Sequence, residues 1–313
     1  MRPFRFLADG REVANARALG ETARRAEALG FDALVIPDHL INQLSPVPAM
    51  AVIAAATERL RVGAFVLNND LRHPAVLAQD LASLDVLSEG RLDVAIGAGW
   101  NQAEYDAIGL PFDPGPVRVG RLVEAVAVLK GCFAEGPFSH AGDHYTITEY
   151  DARPKPVQRP HPPFLVGGGG RRILSFAARE ANVVGLAPRL LPGVRGDPRS
   201  ITLAATQEKI GWVRKAAPDR FDELEFNVYP SMSEVIVTDN ARAELETLAV
   251  RLEARSGLPV AVDELAESPH IYIGSVDGLV DKIQMLRERL GISSFMLGGV
   301  DELAPVVERL VGT

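Results

Sequence analysis

A (β/α)8 TIM barrel with insertions in the loops at its C-terminal rim is the fold class that this sequence predicts, and three observations support it. First, eight strand-like segments run along the chain, at 4–8, 33–37, 62–67, 92–96, 164–166, 183–186, 225–229 and 294–297, and amphipathic helical stretches separate most of them. Second, between Leu60 and Trp100 two apolar runs, LRVGAFVLN and LDVAIGAGW, bracket the stretch HPAVLAQDLASLDVLSEGR. Its Val76, Leu77, Leu81, Leu84 and Leu87 recur at helical spacing, so the segment reads as a βαβ unit with parallel strands buried on both faces. Third, 313 residues at 47% hydrophobic composition suffice for one large core, and a barrel of this class takes about 250 residues before insertions. Residues 1–313 are therefore read as a single domain. The rival topology, an open doubly wound sheet, calls for a strand, a GxGxxG turn and a helix near the N-terminus, whereas the glycine run here comes late.

In chain order, the first run leads into the helical stretch ALGETARRAEALG, and the second, ALVIP, ends on Asp38 and His39. In a barrel that strand end is the rim where active sites are built, and an imidazole there can move a proton near neutral pH. The third run ends in Asn68, Asn69 and Asp70, which by residue type read as a polar turn. His73 precedes Pro74 at a helix start, so a capping role fits it better than catalysis. The fourth run closes in Gly97, Ala98, Gly99 and Trp100, where small residues let a ligand approach the backbone and the tryptophan either packs or flanks a ring. Arg118 and Arg121 open the next helix, with Glu124 on a face near Arg121.

The fifth run passes directly into Gly167, Gly168, Gly169, Gly170, Arg171 and Arg172 and the helix RRILSFAARE. Free backbone N–H groups at a helix start beside two cations make an anion site. Ordering four glycines costs up to about 1 kcal/mol each relative to alanine, which points to a close ligand. Three segments break the alternation and place insertions at the rim, where loops choose substrates. Residues 137–163 read as a small β excursion, FSHAGDHYTITEY, with a proline-rich return; 188–200, following a strand directly, is the lid candidate; 256–269 reads as an irregular return before the last helix.

Bulk properties narrow the function. With 33 basic and 41 acidic residues the formal charge is −8 and no long basic run occurs, which disfavours nucleic acid and anionic membrane as partners and leaves a small molecule as the default. The single cysteine, Cys132, lies in an apolar helical pattern, so cysteine metal clusters and intrachain disulfides are excluded. No H-x-H or H-E-x-x-H pairing occurs among the six histidines, so no metal site is expected. The N-terminal stretch lacks the apolar core of a signal peptide and no run approaches the roughly 18 apolar residues of a membrane helix, so a cytoplasmic protein is expected.

The segment HPAVLAQDLASLDVLSEGRLDVAIGAGW resembles the centre of the bacterial luciferase-like monooxygenase superfamily, whose members are flavin- or deazaflavin-dependent TIM barrels. ALGETARRAEALGFDALVIPDH, PPFLVGGGGRRILSFAAREANVVGLAP and YIGSVDGLVDKIQMLRERLGISSFMLGG resemble other parts of the same family, leaving roughly 190–265 outside the likeness. The resemblance implies roles by position. His39 matches the histidine that serves the deazaflavin branch as general acid or base over the coenzyme's reactive face, with Asp38 as its acidic neighbour, so both enter as catalytic residues. Asn68 and Asn69 fall where many members carry a β-bulge with a non-prolyl cis peptide against the ring. Gly97, Gly99 and Trp100 match a G-x-G-W beside the ring and polyol tail, and Gly167 to Gly170 with Arg171 match the loop that binds the coenzyme's phosphate. One of Arg118 and Arg121 is a candidate for the coenzyme's acidic tail.

The sugar-phosphate dehydrogenase branch carries a glutamate where Trp100 stands and a tryptophan where this chain has Ile41-Asn42-Gln43, so that substrate is not carried over. AFVLNNDLRHP and LDVLSEGR resemble an F420-associated subgroup. The implied function is hydride transfer between the deazaflavin coenzyme F420 and a small organic substrate. Its alternatives are a reduced-FMN monooxygenase and, in another class, a non-catalytic flavin-binding barrel. In relatives, helices such as those containing AVIAAAT and AVLAQDLASL form a dimer interface, so a homodimer is expected.

Overall fold

The computed structural model describes residues 2–11, 15–190 and 196–313. The fold class is the expected (β/α)8 barrel, eight parallel strands with surrounding helices. The strands are β1 (Arg5–Asp9), β2 (Ala33–Ile36), β3 (Arg61–Ala64), β4 (Leu92–Gly97), β5 (Phe164–Gly168), β6 (Val183–Leu186), β7 (Glu225–Val228) and β8 (Ile292–Met296). Each lies within two residues of a segment picked from the apolar runs. The chain sorts into two compact units, one of residues 10–24 and 33–164 and the other of the segment through Asp9 with 25–32 and 165–313.

In the first unit β2 pairs in parallel with β3 from Ala33↔Arg61 to Ile36↔Ala64, and β3 meets β4 at Val62↔Leu92. The third strand breaks after Ala64, where the Phe65–Val66 peptide is cis, and resumes as Leu67–Asn68 opposite Ile96 and Gly97. Helix α1 (Ala16–Ala28) precedes β2, α2 (Pro46–Ala56) follows it, and α3 (Pro74–Leu87) follows the third strand. Leu77, Leu81 and Leu84 of α3 are buried as the spacing predicts, but Val76 and Leu87 are exposed. Val76 stands one residue, about 100°, from the buried face, and Leu87 is the last residue of the helix.

His73 caps α3 as expected, its Nδ1 accepting the Ala75 N–H at 3.2 Å with Pro74 in the first turn. Beyond the other end, Gly90 takes a φ of 83° and Arg91 donates to the carbonyls of Ala54 (2.9 Å), Leu60 (2.8 Å) and Ser88 (2.8 Å). One guanidinium thus satisfies carbonyls at the ends of both α2 and α3. Helices α4 (Gln102–Ile108) and α5 (Gly115–Phe133) follow β4. The expected β excursion is an antiparallel hairpin of Phe138–Ala141 with Thr146–Tyr150. Glu124 of α5 accepts the N–H groups of Asp143 (3.0 Å), His144 (2.9 Å) and Tyr145 (3.1 Å) at its turn, rather than pairing with Arg121. Burial pushes the Glu124 carboxyl up, but these donors outweigh it and hold the group below the usual carboxylate range.

In the second unit the order is β1–β8–β7–β6–β5, all parallel, with Arg5↔Ser294, Phe226↔Ile292, Glu225↔Val183 and Leu165↔Val183 in register. The rings of Phe4, Phe6 and Phe295 cluster with centroids 5.8–6.1 Å apart. Helix α6 (Arg171–Glu180) follows β5 and α7 (Leu203–Ala216) precedes β7. Residues 191–195 of the lid candidate 188–200 lie outside the described residues. Its flanks are tied: Asp197 N–H donates to the Arg189 carbonyl, Arg189 N–H to the Ser200 hydroxyl, and Lys209 Nζ to the carbonyls of Ala187 and Ser200, each at 2.7 Å. The return at 256–269, expected to be irregular, starts at the last residue of α8 (Ala241–Ser256) and contains α9 (Val262–Glu267). Leu265 of α9 joins Leu245, Leu248 and Leu252 of α8 with Ile271 and Ile273 in a separate apolar cluster. Six residues are too few for a helical period to show in the sequence.

Candidate active site

His39 stands just beyond the C-terminal end of β2, its side chain 22% exposed. Its Nδ1 lies 2.9 Å from Oε1 of Glu104, and the Asn101 amide donates to the same oxygen at 2.7 Å. The Trp100 ring meets the imidazole edge-on, at 5.5 Å and 80°. The arrangement is an imidazole open to water on one side, with a buried carboxylate and an aromatic wall against it.

Asp38, next to His39 in sequence, makes other contacts. Its two oxygens accept from Arg72 at 2.6 and 3.1 Å, and one of them also accepts the Asn68 N–H at 2.9 Å. This bidentate pair fastens the β2 end to the segment after the third strand. The carboxylate in contact with the imidazole is Glu104, which the sequence reading did not single out. Its signal was the N-x-x-E of Asn101 to Glu104 just after the G-A-G-W, a pattern that ordinarily marks a helix-capping box.

The asparagines belong to a buried network. Asn68 Oδ1 accepts the Asp70 N–H at 3.1 Å and lies 3.0 Å from the Tyr105 hydroxyl, which is also 3.1 Å from Asp70. Burial, then the charge of Asp70, push the Tyr105 phenol up to about 12, so it stays protonated across working pH. Arg121 closes the network, 2.9 Å from Asp70 and paired with Asp113 as well. Arg118 is likewise engaged, its guanidinium 3.9 Å from the Phe112 ring and donating to the Asp113 carbonyl at 2.8 Å and to that of Gly99. Asn69 is buried and donates to the Tyr145 hydroxyl, brought by the hairpin insertion, at 3.3 Å.

Gly99 has a φ of 72°, and a Cβ there would sit 1.9 Å from the Tyr105 hydroxyl and 2.7 Å from Asn68 Oδ1. A Cβ at Gly97 would lie 2.9 Å from Val66. The chain's own packing therefore accounts for both glycines. In this one unit the structure gathers Asp38, His39, Asn68, Asn69, Gly97, Gly99 and Trp100 by direct contacts and adds Glu104, Asn101, Arg72, Tyr105 and Tyr145.

Gly167 to Gly170 and Arg171 belong to the other unit, apart from one another in role. Gly167 faces Gly185 across two strands, a Cβ on Gly168 would meet Ile173 at 2.3 Å, and one on Gly169 the Pro188 carbonyl at 2.3 Å. Gly170 meets nothing within 4 Å and is the N-cap of α6, with no side-chain cap bond. The start of a ten-residue helix with no side-chain cap bond from its N-cap residue, beside the exposed Arg171, suits a phosphate. Among the described residues no group of three or more His, Cys, Asp or Glu side chains is placed to hold a metal, and no helix is long and apolar enough to cross a membrane.

A family profile described as luciferase-like monooxygenase matches residues 2–196. An FMNH2-dependent dimethylsulfone monooxygenase of Pseudomonas putida is 38% identical over 141 residues, 45% of this chain and 39% of that protein. An F420-dependent glucose-6-phosphate dehydrogenase of Intrasporangium calvum is 34% identical over 179 residues, 53% of this chain and 52% of that one. The matched parts thus span about half or less of those relatives' length. Among solved structures, the F420-dependent tetrahydromethanopterin reductase of Methanopyrus kandleri superposes with a TM-score of 0.76 at 20% identity over 99% of each chain. An F420-dependent secondary alcohol dehydrogenase gives 0.75 at 21% identity over 99% of this chain and 98% of that one. At such identities the likeness speaks for the fold.

Proposed function

Because this chain belongs to the luciferase-like monooxygenase family, we propose that it is an oxidoreductase that moves a hydride between the deazaflavin coenzyme F420 and a small organic substrate. The observation that carries this reading is the His39 imidazole at the end of β2, partly exposed and backed by a carboxylate. Relatives named for F420 and for FMNH2 both align with the chain, so a flavin-type coenzyme is common ground.

When bound, the coenzyme supplies the hydride chemistry, and the chain supplies position and a proton relay. His39 takes the hydroxyl proton of the substrate during oxidation and returns it during reduction. Trp100 limits where a substrate can lie beside the imidazole. Asp38 acts through the segment it holds with Arg72 and the Asn68 N–H. Asn68 and Asn69, fixed by Tyr105 and Tyr145, are assigned to the coenzyme ring together with the backbone at Gly97 and Gly99. The α6 start, Gly167 to Gly170 with Arg171, is assigned separately to an anionic group. A homodimer is proposed on the exposed Val76, Val86 and Leu87 of α3, and sedimentation of the purified protein tests it.

A second reading, a reduced-FMN monooxygenase, is favoured by the 38% identity to the Pseudomonas putida enzyme. Equilibrium binding of F420 and FMN, each oxidised and reduced, followed by fluorescence or absorbance, separates the two. Selective binding of F420 supports hydride transfer, preference for reduced FMN moves the function to oxygen insertion, and binding of neither leaves a non-catalytic barrel.

A further inference from the structure

We infer that Glu104 is a positioning residue: it holds neutral His39 in the tautomer with the proton on Nδ1 and so leaves Nε2 as a bare proton acceptor. The inference deepens the proposed function, and rests on it only in assigning the acceptor to a substrate hydroxyl. The tautomer follows from the contacts of the chain itself.

An imidazole in water favours the opposite tautomer, with the proton on Nε2, so the choice must be imposed by whatever meets Nδ1. Here that group is Glu104 Oε1, an acceptor at 2.9 Å. A carboxylate has no proton to give at neutral pH, so Nδ1 must be the donor in this bond. The acceptor is itself fixed, because the Asn101 amide donates to the same oxygen at 2.7 Å and the Glu104 side chain is only 9% exposed. Among the described residues no other acid pairs with the ring: both Asp38 oxygens are taken by Arg72 and one of them also by the Asn68 N–H. Among the described residues Nε2 has no protein partner, and the side chain remains partly open to water.

The consequence for the reaction is a preset direction of proton flow. As the substrate's O–H bond breaks, an N–H bond forms at Nε2, and a bound oxidised deazaflavin would supply the two-electron acceptor for the hydride lost from the same substrate's carbon. The positive charge created on the ring then lies against Glu104, which is where a charge-assisted hydrogen bond strengthens most.

The test is long-range 1H–15N NMR on the full-length protein labelled with 15N-histidine, at a pH where the imidazoles are neutral, with the His39 signals identified by their loss in His39→Gln. The wild type is expected to show a protonated Nδ1 and bare Nε2 at His39. Glu104→Ala should return the ring to the Nε2–H form, whereas Glu104→Gln, which keeps an acceptor oxygen, should retain the wild-type tautomer. Unchanged signals from the other five histidines confirm that each variant is folded. A wild-type His39 protonated on Nε2, or an unchanged tautomer in Glu104→Ala, overturns the inference. Because this readout needs no coenzyme, it stands or falls apart from the proposed function. With a substrate in hand, Glu104→Ala should lower kcat by about tenfold or more at little change in KM, and loss confined to KM would count against it.

Discussion

His39 and His270 are both anchored through Nδ1, yet their surroundings differ. At His39 the acceptor is the Glu104 carboxylate and the ring is partly open to water. At His270 the acceptor is the Tyr229 carbonyl at 3.1 Å, the residue is fully buried, and among the described residues its Nε2 has no hydrogen-bond partner. Burial above all, then the positive charge of Lys209, lower the His270 imidazole to about 3. Its cationic neighbours are also depressed: burial brings Lys282 down to about 7 and Lys209 to about 8, with backbone carbonyls as their acceptors. Residue type is shared, and the two rings differ in whether an anion and water reach them, which is the ground for proposing His39 and not His270 as the proton carrier.

The largest expected effect falls on the first of the pair. His39→Ala should lower turnover by about 10²- to 10⁴-fold while coenzyme binding and thermal stability stay near wild type. His270→Gln should do the reverse, leaving turnover within a few-fold. Full activity in His39→Ala, or lost activity in a folded His270→Gln, would collapse the distinction between the two histidines.

Next in size is the packing behind the His39 cluster. Gly99→Ala places a Cβ against the Tyr105 hydroxyl at a φ of 72°, and left-handed strain of about 1 kcal/mol plus overpacking of about 1–3 kcal/mol should lower stability to urea by about 2–4 kcal/mol. Gly170→Ala, in open space, should change it by no more than about 1 kcal/mol. Equal effects of the two would mean that the rim glycine is not packed as tightly as its contacts state.

His270 supplies the pH dependence. Its folded value, about 3, lies below the unfolded 6.5, so the unfolded chain binds the extra proton as pH falls between them. The native state keeps its full advantage above 6.5 and loses it as pH drops toward 3. At pH 5 the loss is about 2 kcal/mol, at about 1.4 kcal/mol per unit. Urea midpoints at pH 7 and pH 5 check this: the drop should be smaller in His270→Gln by about that amount, and equal drops would show that the ring is not held neutral.

The same comparison explains what was legible in the sequence. His39 follows a strand and His270 precedes the short Ile273–Gly274 strand, and only the first position is a barrel rim. Continuous apolar runs located all eight strands, because burial on both faces writes itself into such runs, and α9 escaped because one turn and a half holds no helical period. The glycine run stood out by composition, yet packing against Gly185, Ile173 and Pro188 explains three of its four members. Glu104 stayed hidden since its contact joins positions 65 residues apart and its local pattern mimics a cap. Side-chain pairings of that kind leave no mark in one sequence.

The smallest effect concerns how far the His39 cluster extends. Tyr105 touches Asn68 and Asp70 but not His39, so Tyr105→Phe should cost stability without touching proton transfer. Neither acceptor is orphaned by the change, as Asn68 Oδ1 keeps the Asp70 N–H and Asp70 keeps Arg121. The loss should therefore be about 1 kcal/mol, the lower end for a buried hydrogen bond, read as a shift in urea midpoint. The His39 NMR signals should stay in place. A moved His39 tautomer in Tyr105→Phe would mean that the asparagine network and the Glu104–His39 pair form one cooperative unit, so that the partly open histidine depends on buried hydrogen bonds as much as His270 does.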